Sequence, residues 1–171
     1  MKTNKTLALL SILLIVTTGC NPNKKEKNLY NNSATLNGKI ENSDANELLK
    51  WHMVTLLKDT KNNTVLVLYA NDIAFKSVIK RNNHYRVGSS LALVSWHEKP
   101  DIHWFGATIL GSVDTIKKVD ISANSNGQPV QLYSTYINDK QGLIKINKTD
   151  SQLVRENTNF ILSMKRPYLP D

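Results

Sequence analysis

Cysteine is almost absent from this chain: among 171 residues there is one, Cys20. A single thiol excludes an internal disulfide, a four-cysteine zinc site and an iron–sulfur cluster. It also excludes covalent c-type haem, which requires the motif C-x-x-C-H. With 21% charged and 40% hydrophobic residues, the chain is neither a disordered tail nor a multi-span membrane protein.

Several signatures of enzymes and nucleic-acid-binding proteins are missing as well. The sequence contains no Gly-rich phosphate loop, no G-x-S-x-G elbow and no H-E-x-x-H zinc helix. The formal net charge of +8 falls to +6 without residues 1–19 and to +4 for residues 36–171. Such a small basic excess gives no reason to expect a nucleic-acid partner.

The first twenty residues have the pattern of a secretion signal. Lys2 and Lys5 precede an apolar run at 7–16, which is too short to cross about 30 Å of hydrocarbon. The run has the length of a signal-peptide core, and small residues follow it up to Cys20. This segment resembles the lipobox of bacterial lipoproteins, although Thr17 stands where leucine is usual. An ordinary signal peptide followed by an incidental cysteine is the alternative.

The lipoprotein resemblance implies three segments. Residues 1–19 would be the signal peptide that is removed, and 20–35 a flexible tether with lipidated Cys20 at its start. Residues 36–171 would form a single domain. Two or three acyl chains make a stable membrane anchor, so the expected location is the bacterial cell envelope. Asn21, in place of the retention residue Asp, predicts the outer membrane facing the periplasm if the host is Gram-negative.

Short apolar runs between polar turns predict the strands of the domain. Residues 51–57 and 65–70 flank the turn KDTKNNT, and SLALVSWHE and HWFGATIL flank the turn KPD. Two further strands are expected at 113–122 and 129–137, on either side of a turn at 124–127.

Two segments have helical spacing. Asn71 and Asp72 can cap a helix that runs to about residue 81. Thr149 and Gln152 have capping-box spacing at the start of an amphipathic helix, which ends before Pro167. We therefore predict an α+β domain: an antiparallel β-sheet of about five or six short strands with two helices, including a C-terminal amphipathic helix.

The densest cluster of aromatic and imidazole side chains is WHEKPDIHW, with Trp96, His97, His103 and Trp104. A five-residue hairpin loop at 98–102 would place the two histidines opposite each other, whereas a loop at 98–101 would place His103 opposite Trp96. We predict no metal site, and His97 and His103 are the candidates if one exists. The simpler interpretation places Trp96, Trp104 and Phe105 in the core, with partly exposed imidazoles.

A second polar set surrounds the first helix. Tyr69, Asp72 and Arg86 are the ligand-binding candidates in it, together with neighbouring Asn71, His84 and Tyr85. Arg86 could hold an anionic ligand. For Asp72 we favour a capping role over that of a general base.

Residues 64–113 resemble a pattern found in bacterial cytochrome P-460-like proteins. The segments that carry it are TVLVLYANDIAFK and YRVGSSLALVSWHEKPDIHWFGATILGSV, and the end of the chain, FILSMKRPYLP, resembles the closing helix. The resemblance implies a periplasmic α+β domain with an antiparallel sheet. The haem-binding members oxidise hydroxylamine with c-type haem, but this chain lacks the attachment motif, so no catalytic residue is carried over.

Together these features predict a lipid-anchored envelope protein whose haemless P-460-like domain binds a small ligand or a partner protein. We expect a binding protein in preference to an enzyme, no cofactor and no nucleic-acid partner. The alternative is a periplasmic oxidoreductase with non-covalent haem, or with a metal held by histidine.

Overall fold

A computed structural model describes residues 39–40, 43–81, 84–139, 142–147 and 150–165. The predicted signal peptide, the tether and Cys20 lie outside these residues. The elements in chain order are β1 (Lys39–Ile40), β2 (Ser43–Asp44), a 3-10 helix (Ala45–Lys50), β3 (His52–Asp59), β4 (Thr64–Ala70), α1 (Asp72–Ile79), β5 (Ser90–Pro100), β6 (Thr108–Ala123), β7 (Pro129–Asp139), β8 (Gly142–Ile146) and α2 (Ser151–Ser163). Within this part of the chain, no helix has the length and apolar character needed to cross a membrane.

The main sheet is an antiparallel meander of six strands in the order β3-β4-β5-β6-β7-β8. Every strand of this sheet pairs with its neighbour in sequence. Short polar turns join β3 to β4 and β6 to β7, whereas α1 lies between β4 and β5. Asn63 supplies a left-handed conformation (φ 57°) in the β3–β4 turn, and Asn124 accepts backbone hydrogen bonds in the β6–β7 turn. The predicted α+β class, with an antiparallel sheet and a C-terminal helix, is confirmed.

The core has two layers because the sheet is covered on both faces. Leu91 and Leu93 of β5 point to the face on which α1 and α2 pack, here called the helical face. Val94 and Trp96 point to the opposite face, which the 3-10 helix covers through residues such as Leu48. Burial on both faces explains why β5 is an almost unbroken apolar run. Complete burial of a side chain such as Leu91 contributes about 1.5–3 kcal/mol.

The helix caps agree with the prediction in part. Of the two predicted candidates, Asn71 and not Asp72 caps α1: its Oδ1 accepts hydrogen bonds from the backbone N of Ala74 (2.9 Å) and of Ser90 (3.1 Å). Asp72 is the first residue of the helix instead. Asp150 caps α2, one residue beyond the predicted Thr149, which lies outside the described residues, as does Pro167.

The strand boundaries around residue 105 also differ from prediction. HWFGATIL is not one strand, because 101–107 form a loop and β6 continues unbroken from Thr108 to Ala123. Asp101 Oδ1 accepts a hydrogen bond from the backbone N of His103 at 2.7 Å, and Gly106 has φ +78°. Both features bend the chain at a place where the apolar sequence predicted an extended strand. Strand β8 was not predicted.

Candidate functional site

The predicted site residues do not converge on one place. Trp96 is buried in the core, as predicted, whereas Trp104 and Phe105 are exposed; the prediction that these two are core residues is wrong. His103 and Trp104 lie in the 101–107 loop. Tyr69 is half-buried and packs against the core cluster on the face opposite the helices, to which Trp96 also belongs, and burial raises the pKa of its hydroxyl.

Neither hairpin register considered for the histidines occurs. β5 extends to Pro100 and β6 starts at Thr108, so His103 belongs to the loop. His97 lies at an irregularity in the β5–β6 pairing, with its Nε2 3.5 Å from Oδ1 of Asp114. Within the described ranges, no group of three or more His, Cys, Asp or Glu residues is placed to hold a metal ion.

Asp72 has a partner that the sequence did not indicate. Its Oδ1 lies 2.8 Å from Nε2 of His52, and the His52 ring stacks on Phe75 with a centroid distance of 4.2 Å and an interplanar angle of 9°. This contact joins the start of β3 to α1. Both side chains of the pair are substantially exposed, so it contributes little to stability.

Arg86 lines a cleft of about 520 Å³ between α1 and the segment 84–87. We call this cleft the cationic pocket. Its lining residues are Ile73, Lys76, Ser77, Lys80, His84, Tyr85, Arg86 and Val87. Of the polar set predicted around the first helix, Arg86, His84 and Tyr85 contribute to it, whereas Tyr69, Asn71 and Asp72 do not. The signal that could have found the two lysines is their i, i+4 spacing on the helix.

Local geometry fixes the shape of the cationic pocket. Ser77 Oγ, on the buried side of α1, donates a hydrogen bond to the backbone oxygen of His84 at 2.9 Å. The segment then turns, with Ser89 N bonded to the oxygen of Arg86 at 3.0 Å. Gly88 lies within this turn, between Arg86 and Ser89, and has φ +87°. A Cβ on this residue would lie 3.1 Å from Cδ1 of Ile73. A larger residue would push this turn away from α1.

The electrostatics of the cationic pocket are one-sided. Lys76, Lys80 and Arg86 form no ion pair with any residue that the structure describes, and the pocket lining contains no carboxylate. Tyr85 is half-buried, and desolvation raises the pKa of its hydroxyl, which donates a hydrogen bond to the backbone oxygen of Leu162 at 3.5 Å. The pocket lining offers positive charge without a carboxylate, which suits binding of an anion.

A second cleft, of about 380 Å³, lies on the helical face near the β3–β4 turn. We call it the polar groove. It is lined by Asp59, Asn62, Thr64, Leu66, Leu93, Ser95, Asp114, Thr115, Lys117, Asn157 and Phe160. No sequence pattern indicated it, because five separate elements and a turn contribute to it. The spacing of Thr115 and Lys117, two residues apart on one face of β6, was the one available signal.

The groove contains polar side chains that are partly or largely buried. Lys117 Nζ donates a hydrogen bond to Asn157 Oδ1 at 2.8 Å, while burial lowers the pKa of its amine and nearby Asp114 opposes that shift. Thr64 and Ser95 are more than nine-tenths buried. Among the described residues, neither hydroxyl belongs to the enclosed polar atoms that lack a partner. Both side chains line the groove, so their hydroxyls can be reached by a ligand and can donate or accept a hydrogen bond.

No protein-family model matches this chain, and no curated protein is similar enough to it to count as a relative. The resemblance to cytochrome P-460-like proteins therefore stays a prediction.

Proposed function

We propose that this protein is a lipid-anchored component of the bacterial cell envelope that binds a small anionic ligand in the cationic pocket. The observation that carries the binding proposal is the set of three cations, Lys76, Lys80 and Arg86, around a cleft of about 520 Å³ with no carboxylate in its lining. Like charges held together without counter-ions repel one another, and a bound anion relieves that repulsion.

The donor types indicate the chemistry of the ligand. The Arg86 guanidinium matches the two oxygens of a carboxylate or phosphate, and the lysines act as point charges beside it. Tyr85 forms part of the wall of the pocket. We therefore favour a ligand with phosphate or carboxylate groups. Because the cations are exposed, binding should weaken as salt screens their charges.

The anchoring part of the proposal rests on the first twenty residues. The apolar run at 7–16 and Cys20 support acylation of the cysteine thiol. The intact mass of protein extracted from the envelope tests this directly. A chain that starts at Cys20 and carries fatty acyl groups is expected, and an unmodified cysteine would contradict the anchor.

The test of ligand binding is isothermal titration of the purified full chain with inorganic phosphate and with citrate, at low and at physiological ionic strength. Arg86→Gln should weaken binding about tenfold, since it removes charge-assisted hydrogen bonds. Lys61→Gln is the matched control, because it removes one positive charge at the exposed β3–β4 turn. Equal affinity of Arg86→Gln and wild type, or binding that salt does not affect, would contradict the proposal.

The alternative of an oxidoreductase has its own measurement. Protein isolated from its native envelope should be examined for a Soret band and for stoichiometric metal. Either result would favour non-covalent haem or a histidine-bound metal, with His97 and His103 as the residues to mutate first.

The polar groove supports a second candidate function, binding of a neutral polyhydroxylated ligand such as a saccharide. The supporting observation is that the hydroxyl residues Thr64 and Ser95 line the same groove as the half-exposed ring of Phe160. Hydroxyls offer both donor and acceptor to sugar hydroxyls, and the ring offers an apolar surface to a sugar face. Titration with N-acetylglucosamine tests this. Ser95→Ala should weaken binding, and exposed Ser112→Ala should not.

A further inference from the structure

The loop 101–107, here called the hairpin tip, exposes three large apolar side chains. The exposed fraction is 89% for Ile102 and 72% for Trp104, and Phe105 is fully exposed. An aromatic side chain presents about 150–250 Å² of surface. Adjacent exposed apolar side chains of this size mark a contact site.

The hairpin tip lies at the end of a projecting arm. The pairing of β4 with β5 ends at His97, and the pairing of β6 with β7 ends at Thr115. Beyond these points, β5 and β6 pair with each other alone as far as Pro100 and Thr108. The exposed side chains are therefore carried away from the body of the sheet.

The backbone of the hairpin tip is held in shape by its own hydrogen bonds. Asp101 N donates to the oxygen of Ala107 at 2.9 Å, and Ala107 N donates to the oxygen of Trp104 at 3.1 Å. The side chain of Asp101 accepts from the backbone of His103. The tip therefore presents its apolar side chains from a narrow, convex, closed turn.

A narrow convex tip is suited to a lipid bilayer, because a bilayer needs no complementary pocket to receive it. Tryptophan is enriched at membrane interfaces, where its ring can be buried while the indole N–H stays hydrated. The acidic groups near the tip are engaged within the protein. Glu98 accepts from Lys58 at 2.9 Å and from Thr108 at 3.0 Å, so few free negative charges would oppose an anionic membrane.

We propose that the hairpin tip inserts into the interfacial layer of the membrane to which the chain is anchored. This inference rests on the proposed anchor at Cys20. Eighteen residues lie between Cys20 and Lys39, so the chain from one to the other spans at most about 65 Å, and the anchor keeps the domain near the bilayer. A second attachment to the same surface then forms at a high effective concentration.

Insertion of the tip would also orient the cationic pocket. The pocket adjoins the start of β5 at Ser90, and the tip follows its end at Pro100. Eleven strand residues separate the two ends by roughly 35 Å. The pocket would then face away from the membrane, into the aqueous compartment from which a small ligand would arrive.

Intrinsic fluorescence tests the insertion. The full chain is mixed with vesicles of phosphatidylcholine and phosphatidylglycerol that contain brominated acyl chains, which quench tryptophan at known depth. Of the three tryptophans, Trp96 is buried and Trp51 is partly buried. The quenched signal should therefore come from Trp104 and disappear in Trp104→Phe. Quenching that persists unchanged in Trp104→Phe would overturn the inference.

A second variant keeps the fluorophore. The double substitution Ile102→Ser with Phe105→Ser should require about tenfold more lipid for half-maximal quenching of Trp104. The matched control is Leu132→Ser, which removes an exposed leucine from β7 and should change nothing. Concentration-dependent dimers that the double variant abolishes, without quenching in wild type, would instead assign the tip to a second copy of this chain.

The insertion and the anchor can fail independently. Acylated protein whose Trp104 is not quenched would contradict the hairpin tip and leave the anchor intact. Non-acylated protein whose Trp104 is quenched at millimolar lipid would contradict the anchor and support the tip. Non-acylated protein without quenching at the same lipid concentration would contradict both.

Discussion

The hydroxyl of Ser77 donates a 2.9 Å hydrogen bond to the backbone oxygen of His84, across the base of the cationic pocket. Ser77 is buried on α1, and His84 begins the segment that carries Arg86. One side chain thus sets the distance between the lysines on the helix and the arginine opposite them. The shape of the pocket therefore depends on this hydrogen bond as well as on the charges of its cations.

Ser77→Ala is predicted to weaken both the fold and ligand binding without changing any charge. The substitution leaves the oxygen of His84 without its donor and should lower the free energy of unfolding by about 1 kcal/mol. Phosphate affinity should fall because Arg86 is less well positioned. Urea denaturation and phosphate titration measure the two effects. Ser163→Ala, which breaks a comparable bond to Phe160, should leave affinity unchanged; a parallel loss there would contradict this role for Ser77.

Asn71→Ala is predicted to destabilise the protein far more than Asp72→Asn. Asn71 caps α1 and also joins it to β5, since its Nδ2 donates to the oxygen of Gly88 at 2.8 Å and its Oδ1 accepts from Ser90 N. We expect a loss of about 1–2 kcal/mol for Asn71→Ala, measured by thermal unfolding. Asn71→Asp keeps the acceptor but loses the donor, so it should fall between the two. A larger effect at Asp72 would show that the cap is assigned wrongly.

Elements with regular local patterns were predictable from sequence. The β3–β4 hairpin and α1 follow from apolar runs around a polar turn and from helical spacing. The hairpin tip was not predictable from the sequence, because Trp104 and Phe105 together with their nearest neighbours have the apolar pattern of a strand. Their exposure depends on the turn at Asp101 and on the absence of neighbouring strands beyond His97 and Thr115, which only the whole sheet determines.

The clefts were predictable only in part, for a related reason. Arg86 could be chosen as an anion-binding candidate because it stands in a polar segment near a helix. The polar groove could not be predicted from the sequence, since its residues Ser95, Lys117 and Asn157 come from β5, β6 and α2. No local spacing relates residues that the fold brings together from distant parts of the chain.

Lys117 is predicted to make stability depend on alkaline pH. Burial lowers its pKa below the ordinary value of 10.5, so between the two values the unfolded chain binds more protons than the folded chain. The free energy of unfolding contributed by this group therefore rises with pH through that window. Lys117→Met removes the penalty of the buried ammonium. The variant should gain most relative to wild type at neutral pH, and its advantage should shrink as the pH approaches 10.5.

The measurement for Lys117 is urea denaturation of wild type and variant between neutral pH and about pH 10. The raised pKa values of Tyr69, Tyr85 and Tyr133 act in the opposite direction at alkaline pH. The tyrosine effects are the same in wild type and in the variant, so they cancel when the two free energies of unfolding are subtracted. Lys61→Met, at an exposed turn, is the control. A wild-type-minus-variant difference that does not change with pH would contradict the prediction.

Gly111→Ala is predicted to destabilise the base of the projecting arm. Strand β6 passes so close to β5 here that a Cβ on Gly111 would lie 2.9 Å from the backbone oxygen of His97. Backbone cannot yield as a flexible side chain can, so the strands must separate, at a cost of about 1–3 kcal/mol in the free energy of unfolding. Urea denaturation measures this cost. The adjacent substitution Ser112→Ala, on the exposed side of the same strand, should stay within about 0.5 kcal/mol of wild type. Equal stability of the two variants would mean that the arm is loose enough to absorb the added methyl group, which would also weaken the inference that it presents a rigid tip.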